Sequence, residues 1–235
     1  MRGGRVGGEA DTLGEPARAM GDSPPVAEEP EHLRARVVLL AGPSGSGKSH
    51  LAEASGLPVL TLDDFYRDGD DPDLPREPEL GIVDWDDPRA WDAERAVATL
   101  ETICRTGCGD VPVYDIAADR ATTKRRFCVD GATAFVAEGL FAAEIVEACR
   151  DRGILGEAIV LRRAPWKNFA RRLVRDLVER RKPPLTLLRR GRLLMATEVE
   201  VVRRQVALGC RPYDARRLRR VLAALRAVQE GQPAA

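Results

Sequence analysis

Short apolar runs recur along this chain without strict alternation: Val37 to Ala41, Val59 to Leu62, Val111 to Tyr114, Ala134 to Ala137 and Ala158 to Leu161 each read as a strand. Continuous hydrophobicity means that both faces of a strand are covered, which is the pattern of a parallel sheet between layers of helix. Helical periodicity fills most of the intervals, most strongly at Trp91 to Cys104, Phe141 to Arg150, Trp166 to Arg181, Leu185 to Leu208 and Ala215 to Gln229. Arg125 to Asp130 reads as a small strand returning from Val113-Tyr114, a hairpin flap. There is no internal repeat. Residues 1 to 34 carry Gly-Gly pairs, Pro24-Pro25 and scattered acids without apolar periodicity, so they are expected to be a disordered tail that includes a solvated His32. Residues 35 to 235 then form one domain, and a start codon placed too far upstream would explain the tail.

With 235 residues and 44% hydrophobic content, the chain is long enough for one substantial core. No apolar run approaches the length of a membrane span and the amino terminus lacks a signal-peptide core, so a cytoplasmic protein is expected. Cys104, Cys108, Cys128, Cys149 and Cys210 show no C-x-x-C spacing and are expected to be reduced. The formal charge is zero but segregated: Asp63 to Glu94 is rich in carboxylates, whereas Asp176 and Glu179 are the only acids between Arg162 and Arg192. An acidic wall suits a metal and proton acceptance, and a basic wall suits transferring phosphate.

The first apolar run feeds Gly42-Pro43-Ser44-Gly45-Ser46-Gly47-Lys48-Ser49, a G-x-x-x-x-G-K-[ST] loop after a strand, which binds nucleotide phosphates. The glycines turn the backbone so that its N–H groups cradle phosphate oxygens where a helix begins near Lys48. Lys48 is placed to reach the β and γ phosphates and Ser49 to ligate Mg²⁺. ATP or GTP is therefore the expected ligand. His50, beside the loop, reads as helix packing or, from its position, as a further nucleotide contact.

Such a loop serves kinases, switches and motors alike, so the acceptor side discriminates. The second predicted strand ends in Asp63-Asp64-Phe65-Tyr66, and ligands sit at the carboxyl ends of parallel strands. A carboxylate there accepts the proton of an attacking hydroxyl; taken alone, Asp63 also reads as a helix cap, and Asp64 as a solvated turn.

In order along the chain, Gly42 to Ser49, Asp63-x-Phe65-Tyr66, Pro112-Val113-Tyr114-Asp115, Glu138-Gly139 and Arg171 to Asp176 with Glu179-Arg180 resemble the motifs of uridine kinases. The wider group of P-loop kinases also contains phosphoribulokinase-like and pantothenate kinase-like enzymes, and the resemblance spans about residues 36 to 182. It implies an α/β fold with a five-stranded parallel sheet, a helical lid, and transfer of the γ-phosphate of ATP to a hydroxyl, the ribose 5′-OH in uridine kinases. It makes Asp63 the general base and gives Mg²⁺ to Ser49 and Glu138. It gives the acceptor to Tyr66, Trp85, Asp86, Tyr114 and the position of Asp119, and the transferring phosphate to Arg172, Arg175 and Arg180 on the lid helix.

Read without the resemblance, Trp85-Asp86 is equally a buried anchor with a capping acid, Tyr114 a packed strand tyrosine, and the arginines a solvated face. Two departures bear on the acceptor and the lid. Asp119 stands where uridine kinases have a pyrimidine-reading histidine, and Arg181-Lys182-Pro183-Pro184 replaces the usual glycine. A sugar or pantothenate-like alcohol as acceptor, or a non-catalytic ATP-binding regulator, thus remain alternatives. Arg211 to Asp214 and the arginines after it could border the adenine or form a basic surface, but a solvated helix is the favoured reading. Zero net charge and the absence of interleaved aromatics argue against a nucleic-acid groove.

Overall fold

The computed structural model describes residues 33–78, 81–163 and 199–231. These lie within the compact unit His32–Ala235, and the expected tail, apart from Leu33 and Arg34, falls outside the described residues. Leu33 packs against the core, and the Arg34 and Ala35 N–H groups both donate to the Cys104 carbonyl.

Strand β1 (Arg36–Ala41) is the centre of a five-stranded sheet. It lies between β5 (Ala134–Glu138) and β6 (Leu155–Leu161); β2 (Val59–Thr61) flanks β5, and β7 (Arg211–Tyr213) flanks β6. Every pairing is parallel. Alternate side chains of β1 explain the unbroken apolar run: Val37, Leu39 and Ala41 enter the core on one face, Val38 and Leu40 that on the other.

Helix α1 (Lys48–Glu53) and helix α4 (Ala215–Glu230) cover the face carrying Val38 and Leu40 through Leu51, Leu218 and Leu222. Helices α2 (Ala93–Thr106) and α3 (Val146–Asp151) cover the other face. In α2 the buried positions Ala96, Val97, Leu100, Ile103 and Cys104 follow the helical period, Asp92 caps its start, and Gly107 ends it at φ 87°. The helical residues 199–207 lead into the amino end of β7, which runs parallel to β6.

Four of the five expected strands lie in this sheet. Val111 to Tyr114 does not: it belongs to β3 (Cys108–Asp115), which pairs only with β4 (Arg120–Cys128) as a separate antiparallel hairpin. The fifth sheet strand is β7, within a stretch expected to be helical. Three residues are too few to show a period, and Pro212 is tolerated because β7 is an edge strand.

The cysteine expectation also fails in part. Cys108 and Cys128 are directly opposite at the base of the hairpin and form a disulfide, while Cys104, Cys149 and Cys210 are buried thiols. Sequence spacing is blind to a cross-strand pair 20 residues apart. Among the described residues, no helix is long and apolar enough to cross a membrane.

Candidate active site

Three parallel strands end level with one another. Leu40 of β1, Glu138 of β5 and Thr61 of β2 are in register, so the segments leaving them emerge side by side. From β1 comes the glycine loop, from β5 Glu138-Gly139-Leu140, and from β2 the 3-10 turn Leu62–Phe65 that carries Asp63.

The loop has the backbone its sequence demands. Gly45 and Gly47 adopt φ 77° and 82°, left-handed values that a side chain resists, and the Ser46 N–H closes a turn onto the Pro43 carbonyl. Ser46 is fully buried and its hydroxyl is without a hydrogen-bond partner. Lys48, the first residue of α1, points inward, with its ammonium 3.8 Å from Glu138 Oε2 and both side chains nearly excluded from water. That carboxylate oxygen also lacks a hydrogen-bond partner. Burial pushes the Glu138 pKa up; Lys48 and the Ser49 hydroxyl pull it down, and Asp63 pushes it up again. A buried carboxylate with an orphaned oxygen beside a serine hydroxyl is a donor set suited to a hard cation, so Ser49 and Glu138 fit Mg²⁺. His50 is exposed, which excludes the packing role expected for it.

Asp63 is exposed at the mouth of this site, its Oδ1 accepting from the Leu140 N–H at 3.4 Å. Its approach to β5 requires Gly139: a Cβ there would stand 2.8 Å from the Leu62 Cβ and 3.1 Å from Asp63 Oδ1. The turn is further pinned by the buried Trp91 indole N–H, which donates to the Leu62 carbonyl at 2.7 Å. Asp63 therefore shares the carboxyl edge with Lys48 and Glu138.

Beyond Asp63 lies an aromatic group. Tyr66 meets Trp85, Tyr114 and Phe141 at ring-centroid distances of 5.6, 5.8 and 5.9 Å, and Trp85 meets Tyr114 edge to face at 6.4 Å. Both tyrosine hydroxyls donate to backbone carbonyls, Tyr66 to Trp85 and Tyr114 to Arg67. The Tyr114 hydroxyl is thus already engaged as a donor. Burial, then Asp63 and Asp86, raise the Tyr66 pKa. Burial, then Asp119 and Asp68, push Tyr114 up to about 12.

Asp86 is exposed and caps no helix, since Asp87 and Asp92 perform that task. Asp119 sits in the hairpin turn at φ 49°, its carbonyl accepting from the Gly69 N–H. Arg172, Arg175 and Arg180 lie outside the described residues.

Asp64, expected to be a solvated turn residue, is instead a clamp. It accepts from the Tyr114 N–H at 3.2 Å and lies 3.6 Å from the Arg125 guanidinium, fastening the hairpin to the turn that carries Asp63. Sequence reasoning passed over Gln205. No local signal marks it, because its partner Leu140 is 65 residues away.

A phosphate-binding loop on the central strand of a parallel sheet flanked by helices defines a P-loop α/β fold. In sequence the chain is 25% identical over 170 residues, 69% of its own length, to uridine kinase-like protein 3 of Arabidopsis thaliana. That match takes in 35% of the relative, so the chain spans about a third of the curated relative's length. Among solved structures, it is similar to a protein of Silicibacter sp. TM1040 described as a fructose transport system kinase, with TM-score 0.51 and 21% identity over 75% of this chain and 87% of that one. A Bacillus stearothermophilus protein described as a uridine kinase gives TM-score 0.40 and 19% identity over 57% of this chain and 74% of that one. No family model matches the chain. In sequence the chain is thus similar to a uridine kinase-like protein, and in fold to the Silicibacter protein.

Proposed function

We propose that this chain is an ATP-dependent small-molecule kinase that transfers the γ-phosphate to the hydroxyl of a nucleoside or another hydroxylated metabolite. One observation carries the reading: Asp63, Glu138 and Lys48 converge where three parallel strands in register end, with the glycine loop beside them. Asp63 takes the proton of the acceptor hydroxyl as its oxygen attacks the γ phosphorus. The bond from that phosphorus to the bridging oxygen breaks, and ADP leaves with the electron pair. Lys48 offsets the charge of the triphosphate, and the backbone of the loop orients it. Mg²⁺, held by Ser49 and Glu138, would supply further neutralisation of phosphate charge.

The aromatic group around Tyr66 suits the apolar face of a base or sugar, and Asp86 is available to accept from a diol. Asp119 favours a second reading for the acceptor, a polyol other than uridine or cytidine, since a carboxylate has replaced the histidine at that place.

The test is ATP consumption by the purified chain against a panel of nucleosides, sugars and small alcohols, each with and without Mg²⁺. Acceptor-dependent, Mg²⁺-dependent turnover is expected. Asp63→Asn should leave ATP affinity nearly intact and lower turnover by about 10²-fold or more. Turnover near the wild-type rate in that variant would refute the base, and ATP binding without any acceptor-dependent turnover would favour a regulator.

A further inference from the structure

We propose that Gln205 is a positioning residue for the Asp63 carboxylate, acting through the backbone of Leu140. The inference rests on the reading of Asp63 as the base.

Gln205 lies on the helical residues 199–207 and is only 4% exposed. Its Nε2 donates to the Leu140 carbonyl at 2.9 Å, while its Oε1 is buried without a hydrogen-bond partner. A buried amide with one unsatisfied end is unfavourable compared with an aliphatic side chain of the same shape. The helix would also dock without it, because Val202 and Leu208 pack against the core and Arg204 reaches Glu144 at 2.9 Å. What the amide adds is a donor aimed at one carbonyl.

That carbonyl belongs to the residue whose N–H holds the base. Leu140 N donates to Asp63 Oδ1 at 3.4 Å, and Leu140 follows Gly139. The Gly139 N–H is tied to the Leu40 carbonyl, which fixes the chain on the β5 side. Past that point a glycine leaves the next peptide free to rotate about its ψ. Gly139 cannot be exchanged for a stiffer residue, since a Cβ would strike Leu62 and Asp63. The restraint must therefore come from the downstream side. Gln205 supplies it by gripping the Leu140 carbonyl, so the N–H of the preceding peptide stays directed at Oδ1 and Oδ2 is left to face the acceptor hydroxyl. Near-attack geometry at the base then depends on a side chain that touches neither substrate nor base.

The experiment uses the full chain with Gln205→Met, Gln205→Glu, Asp63→Ala and the double variants, followed first by amide hydrogen exchange at Leu140. Gln205→Met and Asp63→Ala should each speed exchange at that amide by about tenfold, with the double variant no faster than the faster single one, and core amides of β1 and β5 unchanged. Gln205→Glu, which keeps size and polarity but offers no donor when ionised, should behave as Gln205→Met. Additive acceleration, or an unchanged Leu140 amide, overturns the proposal. With the acceptor found in the panel, either Gln205 variant should lower kcat by about tenfold and leave KM for ATP unchanged. A matching rise in KM for ATP, or a fall in thermal stability with kcat preserved, also overturns it. Retained turnover in Asp63→Asn defeats the base itself, whereas loss there with normal kcat in the Gln205 variants defeats only the positioning role.

Discussion

The Lys48 ammonium and the Glu138 carboxylate face each other across 3.8 Å in a spot nearly closed to water. Their attraction does not outweigh burial, because Glu138 still has a raised pKa. A carboxyl whose folded pKa lies above its unfolded value binds more protons when folded, so its contribution to stability falls as pH rises through the interval between the two. Without nucleotide or Mg²⁺, the difference in Tm between Glu138→Gln and wild type should therefore be more positive at pH 8 than at pH 5, measured by scanning calorimetry. Addition of Mg²⁺ and ATP should stabilise wild type more than the variant. A difference that shrinks with rising pH would contradict the burial argument.

Gly139→Ala places a methyl group against Leu62 and Asp63 where there is no room for it. Overpacking of this kind costs about 1–3 kcal/mol, so denaturant unfolding should show a loss in that range. Turnover should fall more than ATP affinity, since the displaced turn carries Asp63 and not the loop. Equal losses in both would place the disturbance in the glycine loop instead.

Asp64→Ala removes the acceptor for the Tyr114 N–H and the partner of Arg125. A stability loss of about 1–2 kcal/mol is expected in denaturant unfolding. Amides of β3 and β4 should exchange faster while those of the five-stranded sheet stay as they are. Unchanged exchange in the hairpin would mean that Asp64 does not hold it.

Thiol titration distinguishes the cysteines. Burial pushes Cys104, Cys149 and Cys210 up to about 12, so none should react in the folded chain. Three thiols should react on denaturation without reductant, and five after reduction. Five without reductant would show that Cys108 and Cys128 are not joined. Reduction of the disulfide should lower stability by about 2–4 kcal/mol, the range for a native cross-link closing a loop of this order.

The glycine loop was legible because its chemistry is local. Phosphate binding needs glycines and a lysine at fixed spacing, and all of them lie within eight consecutive residues, Gly42 to Ser49. The placement of Glu138 and Asp63 at the carboxyl edge was legible because the first ends an apolar strand and the second follows one in the turn Leu62–Phe65. Asp64 was not, since an acid next to an acid carries no sign of which one turns toward the hairpin. The Cys108 to Cys128 bond was misread because register, rather than spacing, makes them neighbours.

Sequence alone determined the parallel sheet, the loop and the strand ends, because hydrophobic continuity and turn chemistry act between residues close in the chain. Tertiary structure decided the rest. It took Val111 to Tyr114 out of the sheet and put Arg211–Tyr213 in, and it occupied the Tyr114 hydroxyl. It also set Gln205 against Leu140. These depend on which backbone groups need a partner once segments far apart in the chain have packed, and no short window of residues carries that information.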